Sequence, residues 1–222
     1  PHSVAHADSG TSERWVCKPR RTATRRLPGG GGGRHTLGIV TQVRVREAVP
    51  EDCAAIHELI VALAVYEREP DAVEGSVEDL REHLFGASPR VFCHVAEVRD
   101  GAGTWSVAGI AIWYVTFSTW KVRHGIWLED LFVRPEARGL GLGRRLLVEL
   151  ARIAVERGYP RFEWWVLDWN TPAHGFYESL GAVPQDEWTV WRTDGAALTA
   201  LGSTRDPSSV EGQASAHSPD PV

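Results

Sequence analysis

The sequence predicts a mixed α/β fold, in which a central and mostly antiparallel sheet carries helices on both faces. Strand-like and helix-like segments alternate along residues 43–192. Two neighbouring strand-like runs are separated by a turn cluster at residues 100–103, which predicts an antiparallel hairpin. A later strand-like run passes through a glycine-rich turn into a helix, so the sheet is expected to contain a parallel pairing as well.

The first half of the predicted domain is one strand followed by two helices. Residues 43–48 alternate apolar and polar side chains, which is typical of a half-buried strand. Apolar residues then recur at helical spacing over residues 56–64. Ser76 and Asp79 have the spacing of a capping box and predict a second helix that continues to Leu84.

The second half contains the hairpin, three further strands and two helices. The hairpin strands are predicted at residues 91–98 and 107–117, and the next strand at residues 126–133. Strands at residues 162–167 and 188–192 are expected on either side of a short helix at residues 172–181. The longer helix that follows the glycine-rich turn has one apolar face, made of Leu146, Leu147, Leu150, Ile153 and Ala154.

Composition predicts one domain in residues 41–202. The chain has 222 residues, of which 43% are hydrophobic, enough for a substantial core. Residues 1–40 are expected to be a disordered or wrongly included extension, and residues 203–222 a disordered tail. Residues 41–202 contain 16 Lys and Arg residues against 24 Asp and Glu residues. This acidic balance argues against a nucleic-acid partner and mildly favours attraction of a cationic substrate.

Cysteine and hydropathy patterns exclude further classes of protein. The three cysteines show neither close pairing nor metal-ligand spacing to histidine, so we expect no metal and a reducing compartment, the cytoplasm. No apolar run reaches the roughly 18 residues that a membrane span needs, so we expect no membrane partner.

A glycine-rich loop connects the strand at residues 126–133 to the helix after it. Glycines leave backbone N–H groups open to an anion at a helix N-terminus. The register excludes the dinucleotide fingerprint, and the Gly-Lys-Ser/Thr of nucleotide triphosphatases is absent. The loop therefore predicts pyrophosphate binding, with a tight packing turn as the structural alternative. Its residues are Arg138, Gly139, Leu140, Gly141, Leu142, Gly143 and Arg144.

Several further segments occur in an order that resembles a known enzyme family. They are Tyr66-Glu67, Ser118-Thr119-Trp120, the Leu-Glu-Asp-Leu-Phe-Val run at residues 128–133, the Arg-x-x-Gly-x-Gly loop, Trp169-Asn170-Thr171-Pro172 and Phe176-Tyr177. Together with the order of elements, they resemble the GNAT superfamily of N-acetyltransferases, and within it the diamine (spermidine/spermine) and thialysine acetyltransferase branch. The resemblance spans residues 43–192 and implies the GNAT fold, whose mixed sheet is splayed at strands 4 and 5.

The resemblance implies acetyl-CoA as co-substrate, no metal and a homodimer. The glycine loop would hold the pyrophosphate. The strand at residues 131–133 would present its backbone to the acetyl and pantetheine groups, and the Asn170 loop would contact the pantetheine arm. Tyr177 matches the family's tyrosine proton donor. The implied cofactor contacts beyond the glycine loop are Leu131, Phe132, Val133, Asn170, Pro172, Ala173 and Tyr177.

The transfer reaction requires a way to deprotonate the acceptor amine. An aliphatic ammonium group has a pKa near 10.4, so the free amine at neutral pH costs roughly 4–5 kcal/mol. Glu129 is a candidate base, whose pKa burial and the neighbouring Asp130 would raise. An ammonium anchor is an equally good interpretation of Glu129. Tyr177 is suited to protonate the departing thiolate.

Carboxylates and aromatic faces recognise an aliphatic ammonium group. Most of the ten tryptophans are expected in the core, among them Trp113, Trp127, Trp164 and Trp165. Ser118 stands where polyamine-specific members of the family carry an acidic residue, so the resemblance favours a shorter amine such as thialysine, a basic amino acid or a short diamine. The candidate acceptor contacts are Tyr66, Glu67, Trp120, Glu129, Asp130, Asp186 and Trp188.

Two other functions stay open on the sequence. A protein or peptide N-acetyltransferase would share the glycine loop, although the acidic and aromatic candidates favour a small cation over a peptide. A non-catalytic CoA-binding module would keep the loop and lose the catalytic groups, and the presence of Glu129 and Tyr177 argues against it.

Overall fold

The computed structural model describes residue 40 and residues 42–204 of the chain. The predictions for residues 1–39 and for the tail beyond residue 204 lie outside the described residues. The chain divides after Glu163 into two compact units. The helices and longer strands of the first unit are β1 (Gln42–Glu47), α1 (Cys53–Tyr66), α2 (Val77–Phe85), β2 (Val91–Arg99), β3 (Trp105–Ser118), β4 (Arg123–Val133) and α3 (Leu142–Glu156).

The strands form one sheet in the order β1-β2-β3-β4-β5, where β5 is Phe162–Trp164. The pairings β1-β2, β2-β3 and β3-β4 are antiparallel. β5 runs parallel to β4, and the Ile126 N–H donates a 3.0 Å hydrogen bond to the Arg161 carbonyl just before β5 begins. The predicted mixed and mostly antiparallel sheet is confirmed.

Helices cover both faces of this sheet because alternate side chains of each strand point to opposite sides. Cys93 and Val95 of β2 pack with Leu59 of α1 in one core. On the other face, the five apolar residues predicted for α3 are all buried. Arg157, directly after α3, lies 5.6 Å from the ring centre of Trp113, which places α3 on the Trp113 side.

The helix α2 begins at the predicted capping box. The Asp79 N–H donates to the Ser76 hydroxyl at 3.1 Å, and the Ser76 N–H donates to the Asp79 carboxylate at 2.9 Å. Both bonds satisfy backbone or side-chain groups that the first turn of a helix would otherwise leave unpaired.

A bulge interrupts the pairing of β3 with β4. Asp130 lies opposite Ile112, whereas Leu128 lies opposite the next residue of β3, Trp113, so that Glu129 is an extra residue on β4. An extra residue reverses the alternation of side chains beyond it. Leu128 therefore shares a face with Trp113, toward α3, and Asp130 shares a face with Ile112, toward α1.

The second unit contains α4 (Thr171–Glu178) and α5 (Gly195–Ser203). The short helix predicted after Pro172 is confirmed, and α5 was not predicted. The strand predicted at residues 188–192 is wrong, because the structure has no strand there and Trp191 is 91% exposed. Aromatic and β-branched residues favour a strand only where a neighbouring strand pairs with them. β5 ends at Trp164, so Trp165 is exposed and its predicted core position is wrong, whereas Trp113 is buried as expected.

Among the described residues, none of the helices combines the length and the apolar character that crossing a membrane requires.

A charged network joins β1 to β2 and to the start of α1. Glu97, 4% exposed, accepts hydrogen bonds from Arg44 and Arg46, and Asp52 accepts two more from Arg46 at 2.6 and 2.9 Å. Burial by itself raises the pKa of Glu97, but the hydrogen bonds from Arg46 and Arg44 outweigh it and hold that pKa below its ordinary value. The network thus stabilises the fold as long as these carboxylates are ionised.

We expect Glu97→Gln to lower the free energy of unfolding at pH 7 by about 3 kcal/mol, because it leaves two arginines without their shared buried carboxylate. Urea denaturation measures the loss. Because the pKa of Glu97 is lowered in the folded state, its contribution to stability is lost as the pH falls through that pKa. The difference in unfolding free energy between the parent and the variant should therefore shrink in acid. Glu149→Gln, which breaks the exposed pair with Arg152 on α3, is the control and should cost less than about 1 kcal/mol. Equal losses in the two variants would contradict the assignment.

Candidate active site

Three carboxylates of the first unit lie on the α1 side of the sheet and form what we call the acidic cluster: Glu67, Glu129 and Asp130. Glu67 follows the last residue of α1, and the other two belong to the β4 bulge. Burial, then the negative charges of Glu129 and Glu67, raise the pKa of the half-buried Asp130 to about 6. Burial also raises the pKa of Glu67. Like charges held together in this way favour a cationic ligand.

Two aromatic side chains hold Glu129. The indole Nε1 of Trp127 donates to its carboxylate at 3.0 Å. Burial, and then the charge and hydrogen bond of Glu129, raise the pKa of the Tyr114 phenol. The Glu129 side chain is nevertheless exposed, so its expected burial is wrong. The bulge is the physical reason, because it turns the following residue, Asp130, toward the core beneath α1.

Sequence analysis missed both of these aromatic partners. Trp127 stands two residues before Glu129, so the period of a strand puts the two side chains on the same face. This spacing could have predicted the contact between Trp127 and Glu129, but the sequence analysis assigned Trp127 to the core. Tyr114 comes from β3, and only the register of the β3-β4 pair places it near Glu129.

Arg138 ties the glycine loop to the end of α1. Its guanidinium carbon lies 5.2 Å from the ring centre of Tyr66 and 5.8 Å from that of Phe132. Its Nε donates to the carbonyl of Val133 at 3.2 Å. The two rings are themselves 6.5 Å apart. Arg138 therefore fixes the end of β4 and the start of the loop close to Tyr66, the neighbour of Glu67.

The glycine loop has a backbone that side chains would strain. Gly139 and Gly141 have φ angles of 84° and 75°, in the left-handed region, and a Cβ added at either position would meet no atom within 4 Å. Gly141 is the N-cap of α3 and supplies no capping side chain. The N–H groups in the first turn of a helix have no intrahelical acceptor, so those of α3 are available to an anion. Arg144 and Arg145 line a groove of about 550 Å³ beside the loop.

The end of β4 extends past β5. β5 begins close to the level of Ile126 and has only three residues, whereas β4 continues to Val133. Leu131, Phe132 and Val133 are hydrogen-bonded to β3 on their other side. This arrangement agrees with a sheet that splays between strands 4 and 5.

Trp120 lies in the turn between β3 and β4 and is 85% exposed. At this end of the hairpin Ser118 pairs with Arg123. Asp130 lies seven residues beyond Arg123 on β4, which corresponds to about 20 Å along the strand. The chain does not bring Trp120 to the acidic cluster. Ser118 is buried, and its hydroxyl accepts a 3.2 Å hydrogen bond from the Lys121 N–H, which shapes the turn.

The remaining candidates belong to the second unit. The Asn170 carbonyl accepts a 2.9 Å hydrogen bond from the Ala173 N–H, and Pro172 occupies the first turn of α4. Tyr177 on α4 is half-buried, with its ring centre 4.9 Å from that of Trp164. Two further candidates follow α4 in exposed positions, namely Asp186 and Trp188.

Within the described part of the chain, no group of His, Cys, Asp and Glu side chains is arranged to hold a metal ion.

The sheet, the glycine loop and the splayed β4 edge together define an acetyltransferase fold. Residues 54–182 match the acetyltransferase (GNAT) family, and the chain belongs to this family. It is therefore an acyltransferase, and the resemblance seen in the sequence is confirmed.

Two relatives and one solved structure show where in the family the chain lies. It is 39% identical over 165 residues to thialysine N-epsilon-acetyltransferase of Bos taurus, covering 72% of this chain and 96% of the relative. It is 29% identical over 198 residues to L-ornithine N5-acetyltransferase of Arabidopsis thaliana, covering 71% of this chain and 87% of the relative. An integron cassette protein from the mobile metagenome of V. cholerae aligns with a TM-score of 0.61 at 27% identity, over 74% of this chain and 99% of the other.

We expect Gly141→Val to abolish CoA binding in a protein that still folds. The added side chain has room within the chain but would occupy the approach to the loop N–H groups, and calorimetric titration with CoA measures the effect. Gly158→Val is the matched control, because Gly158, at the opposite end of α3, also has a left-handed φ of 66° and open space around it. Both variants should lose stability by about 1–2 kcal/mol from the strained backbone. Unchanged CoA affinity in Gly141→Val would show that the loop does not bind pyrophosphate.

Proposed function

We propose that this protein is an N-acetyltransferase that moves the acetyl group of acetyl-CoA to a primary amine of a small cationic acceptor. The amine attacks the thioester directly within a ternary complex. The observation that carries the proposal is the acidic cluster, in which burial and then the charges of the neighbouring carboxylates raise the pKa of Asp130. Acceptors in keeping with it are thialysine, a basic amino acid, a diamine or a polyamine.

A cationic acceptor relieves the repulsion within the cluster. Glu67, Glu129 and Asp130 supply carboxylates, and the Tyr66 ring adds an aromatic face for the methylene groups. Thialysine and ornithine, the acceptors in the names of the two relatives, are both amino acids that end in a primary amine. By the family resemblance, Ser118 stands where polyamine-specific members carry an acidic residue, which favours a short acceptor over a long polyamine. By the family resemblance, Asp186 and Trp188 complete the proposed acceptor contacts, whereas Trp120, about 20 Å from Asp130 along the hairpin, is left out of them.

The acetyl-CoA site proposed here follows the glycine loop and the end of β4. The loop N–H groups at the N-terminus of α3 suit the two negative charges of a pyrophosphate. The backbone of residues 131–133 extends past β5, where it can meet the pantetheine arm, and the Asn170-Pro172-Ala173 stretch supplies further contacts to the arm. No metal takes part in this scheme.

Tyr177 is the proposed proton donor to the CoA sulfur. A thiol of pKa near 8.5 leaves as a thiolate, and a phenol of pKa near 10 can stabilise it as the negative charge develops. Tyr177 is half-buried, and its ring centre lies 4.9 Å from that of Trp164, a contact that positions the phenol.

A screen of amines tests the proposed acceptor class. The full chain is incubated with acetyl-CoA and, in turn, with thialysine, ornithine, lysine, putrescine, spermidine and peptides with free N-termini, and thiol release is followed. Turnover of the short amines supports the proposal. Turnover of the peptides alone would replace it with a peptide acetyltransferase, and CoA binding without any turnover would leave a non-catalytic module.

The homodimer and the domain limits of residues 41–202 stay predictions from the family resemblance and from composition. Light scattering that gives the mass of a monomer would remove the first of them.

We expect Tyr177→Phe to lower kcat by about 10²–10⁴-fold with little change in KM for acetyl-CoA, since the hydroxyl acts mainly in the transition state. Steady-state kinetics with a range of acetyl-CoA concentrations separates the possibilities. Tyr159→Phe, at a tyrosine that packs beside His124 outside the proposed site, is the control and should stay within about threefold of the parent. A raised KM with intact kcat in Tyr177→Phe would make the tyrosine a cofactor anchor instead.

A further inference from the structure

The turn between β3 and β4 carries a lysine, a residue type that is rare in this chain. Of the 24 basic residues Lys and Arg, only Lys18 and Lys121 are lysines. Lys121 is the one lysine among the residues that the structure describes, and its side chain is exposed. Its ε-amine is a primary aliphatic amine at the end of a methylene chain. Lys121 therefore carries the same reacting group as the proposed acceptors.

The turn holds the backbone of Lys121 in a defined position. Ser118 pairs with Arg123 across the hairpin, so the turn consists of residues 119–122. The Lys121 N–H donates a 3.2 Å hydrogen bond to the Ser118 hydroxyl. The next residue, Val122, has a φ angle of 49°, in the left-handed region that β-branched residues rarely adopt. Backbone strain of this kind is concentrated at functional sites, and here it fixes the turn from which Lys121 projects.

The end of the hairpin that carries Lys121, residues 119–124, is positively charged, and we call it the cationic tip. Its charged side chains are Lys121 and Arg123, and both are exposed. Residues 101–128 of the sequence contain no Asp or Glu, so the first carboxylates along β4 are Glu129 and Asp130. The β3-β4 hairpin therefore carries positive charge at its tip and the acidic cluster near its opposite end.

Lys121 does not reach the acidic cluster of its own chain. Arg123 and Asp130 are seven residues apart on β4, which corresponds to about 20 Å along the strand. A lysine side chain has four methylene groups and covers only a small part of this distance. The pairing of β3 with β4 holds the hairpin extended, so the tip does not fold back. A reaction of Lys121 in an acidic cluster therefore requires a second copy of the chain.

We propose that Lys121 is a modification site, which a second copy of this enzyme acetylates. The inference rests on the proposed function, because it uses the same acetyl-CoA site and the same acidic cluster. The cationic tip of one copy is attracted to the acidic cluster of another, and complementary charges of this kind speed the encounter and select its orientation. The ε-ammonium group of Lys121 then takes the place of the small cationic acceptor.

The transfer balances with acetyl-CoA as the only other reactant. The ε-ammonium group of Lys121 loses one proton to solvent, and the nitrogen lone pair forms a C–N bond with the acetyl carbon. The C–S bond breaks, the sulfur leaves with the electron pair, and a second proton from the nitrogen ends on the thiol. The products are Nε-acetyl-lysine, CoA and one proton. The amide has no charge, so a modified tip is attracted less to the acidic cluster and the reaction stops after one acetyl group.

Two complementary variants test transfer between copies. Lys121→Arg keeps the charge of the tip but has no amine to acetylate, so it is the donor and should turn over small amines at the parent rate. Gly141→Val, which is expected to lose CoA binding, keeps Lys121 and is the acceptor. When the two full chains are incubated together with acetyl-CoA, peptide mass mapping should show acetylated Lys121. We expect a rate at least about tenfold above that of Gly141→Val alone, because the donor holds both reactants together.

The parent chain supplies a second arm that depends on neither variant. We expect its Lys121 to be acetylated, and an excess of putrescine to slow this reaction, because the diamine competes for the same acidic cluster. Added salt should slow it as well, because salt screens the charges of the tip and of the cluster. Lys18 is the internal control, since direct chemical acetylation by acetyl-CoA would modify both lysines and would not respond to putrescine.

The outcomes separate this inference from the proposed function. Turnover of small amines with unmodified Lys121 would overturn the inference while the proposed function stands. Equal modification of Lys18 and Lys121 that putrescine does not slow would also overturn it. So would modification of Lys121 in the parent but not in the mixture of the two variants, which would show transfer within one chain. Modified Lys121 without turnover of any small amine would support the inference and replace the small acceptor by a protein lysine. A parent that acetylates neither would remove both proposals.

Discussion

The extra residue at Glu129 in β4 is the constraint on which the candidate site depends. Without it, Leu128, Asp130 and Phe132 would lie on one face of the strand, and the core on one side of the sheet would lose a residue. With it, Leu128 faces α3 while Phe132 packs beneath α1. The same displacement brings Glu129 and Asp130 to one side of the sheet, next to Glu67. A single inserted residue therefore serves both the packing of two helix layers and the assembly of the acidic cluster.

Two sets of acidic residues in this chain show how neighbouring arginines change the pKa of a buried carboxylate. Glu97 and Asp52 are buried, but Arg44 and Arg46 donate several hydrogen bonds to them, and their pKa values lie below the ordinary range. Burial, and then its acidic neighbours Glu129 and Glu67, raise the pKa of Asp130 to about 6. The first set stabilises the fold between β1 and α1. The second has no arginine that offsets its burial, and a bound cation would relieve the repulsion within it, as the proposed acceptor site requires.

Arg138 connects the two halves of the site within the first unit. Sequence analysis assigned it to the cofactor because it starts the glycine loop. The structure shows that its guanidinium packs on Tyr66 and Phe132 and that its Nε supports the end of β4 through the Val133 carbonyl. The loop whose N–H groups suit an anion and the helix end that carries Glu67 are thus held by one side chain.

The sequence by itself determined the order of elements as far as α4, the two-faced sheet and the identity of the family. These features follow from local patterns: the alternation of β1, the apolar face of α3, the capping box at Ser76 and the spacing of glycines in the loop. It also identified all three members of the acidic cluster. Only the tertiary structure decided how they differ, because the burial of Glu129 and Asp130 depends on a register shift against β3 that leaves no mark in the β4 sequence. For the same reason the sequence could not predict the contact of Tyr114 with Glu129. The segment around Trp188 is rich in strand-forming residues but forms no strand, because a strand needs a neighbouring strand that local sequence does not specify.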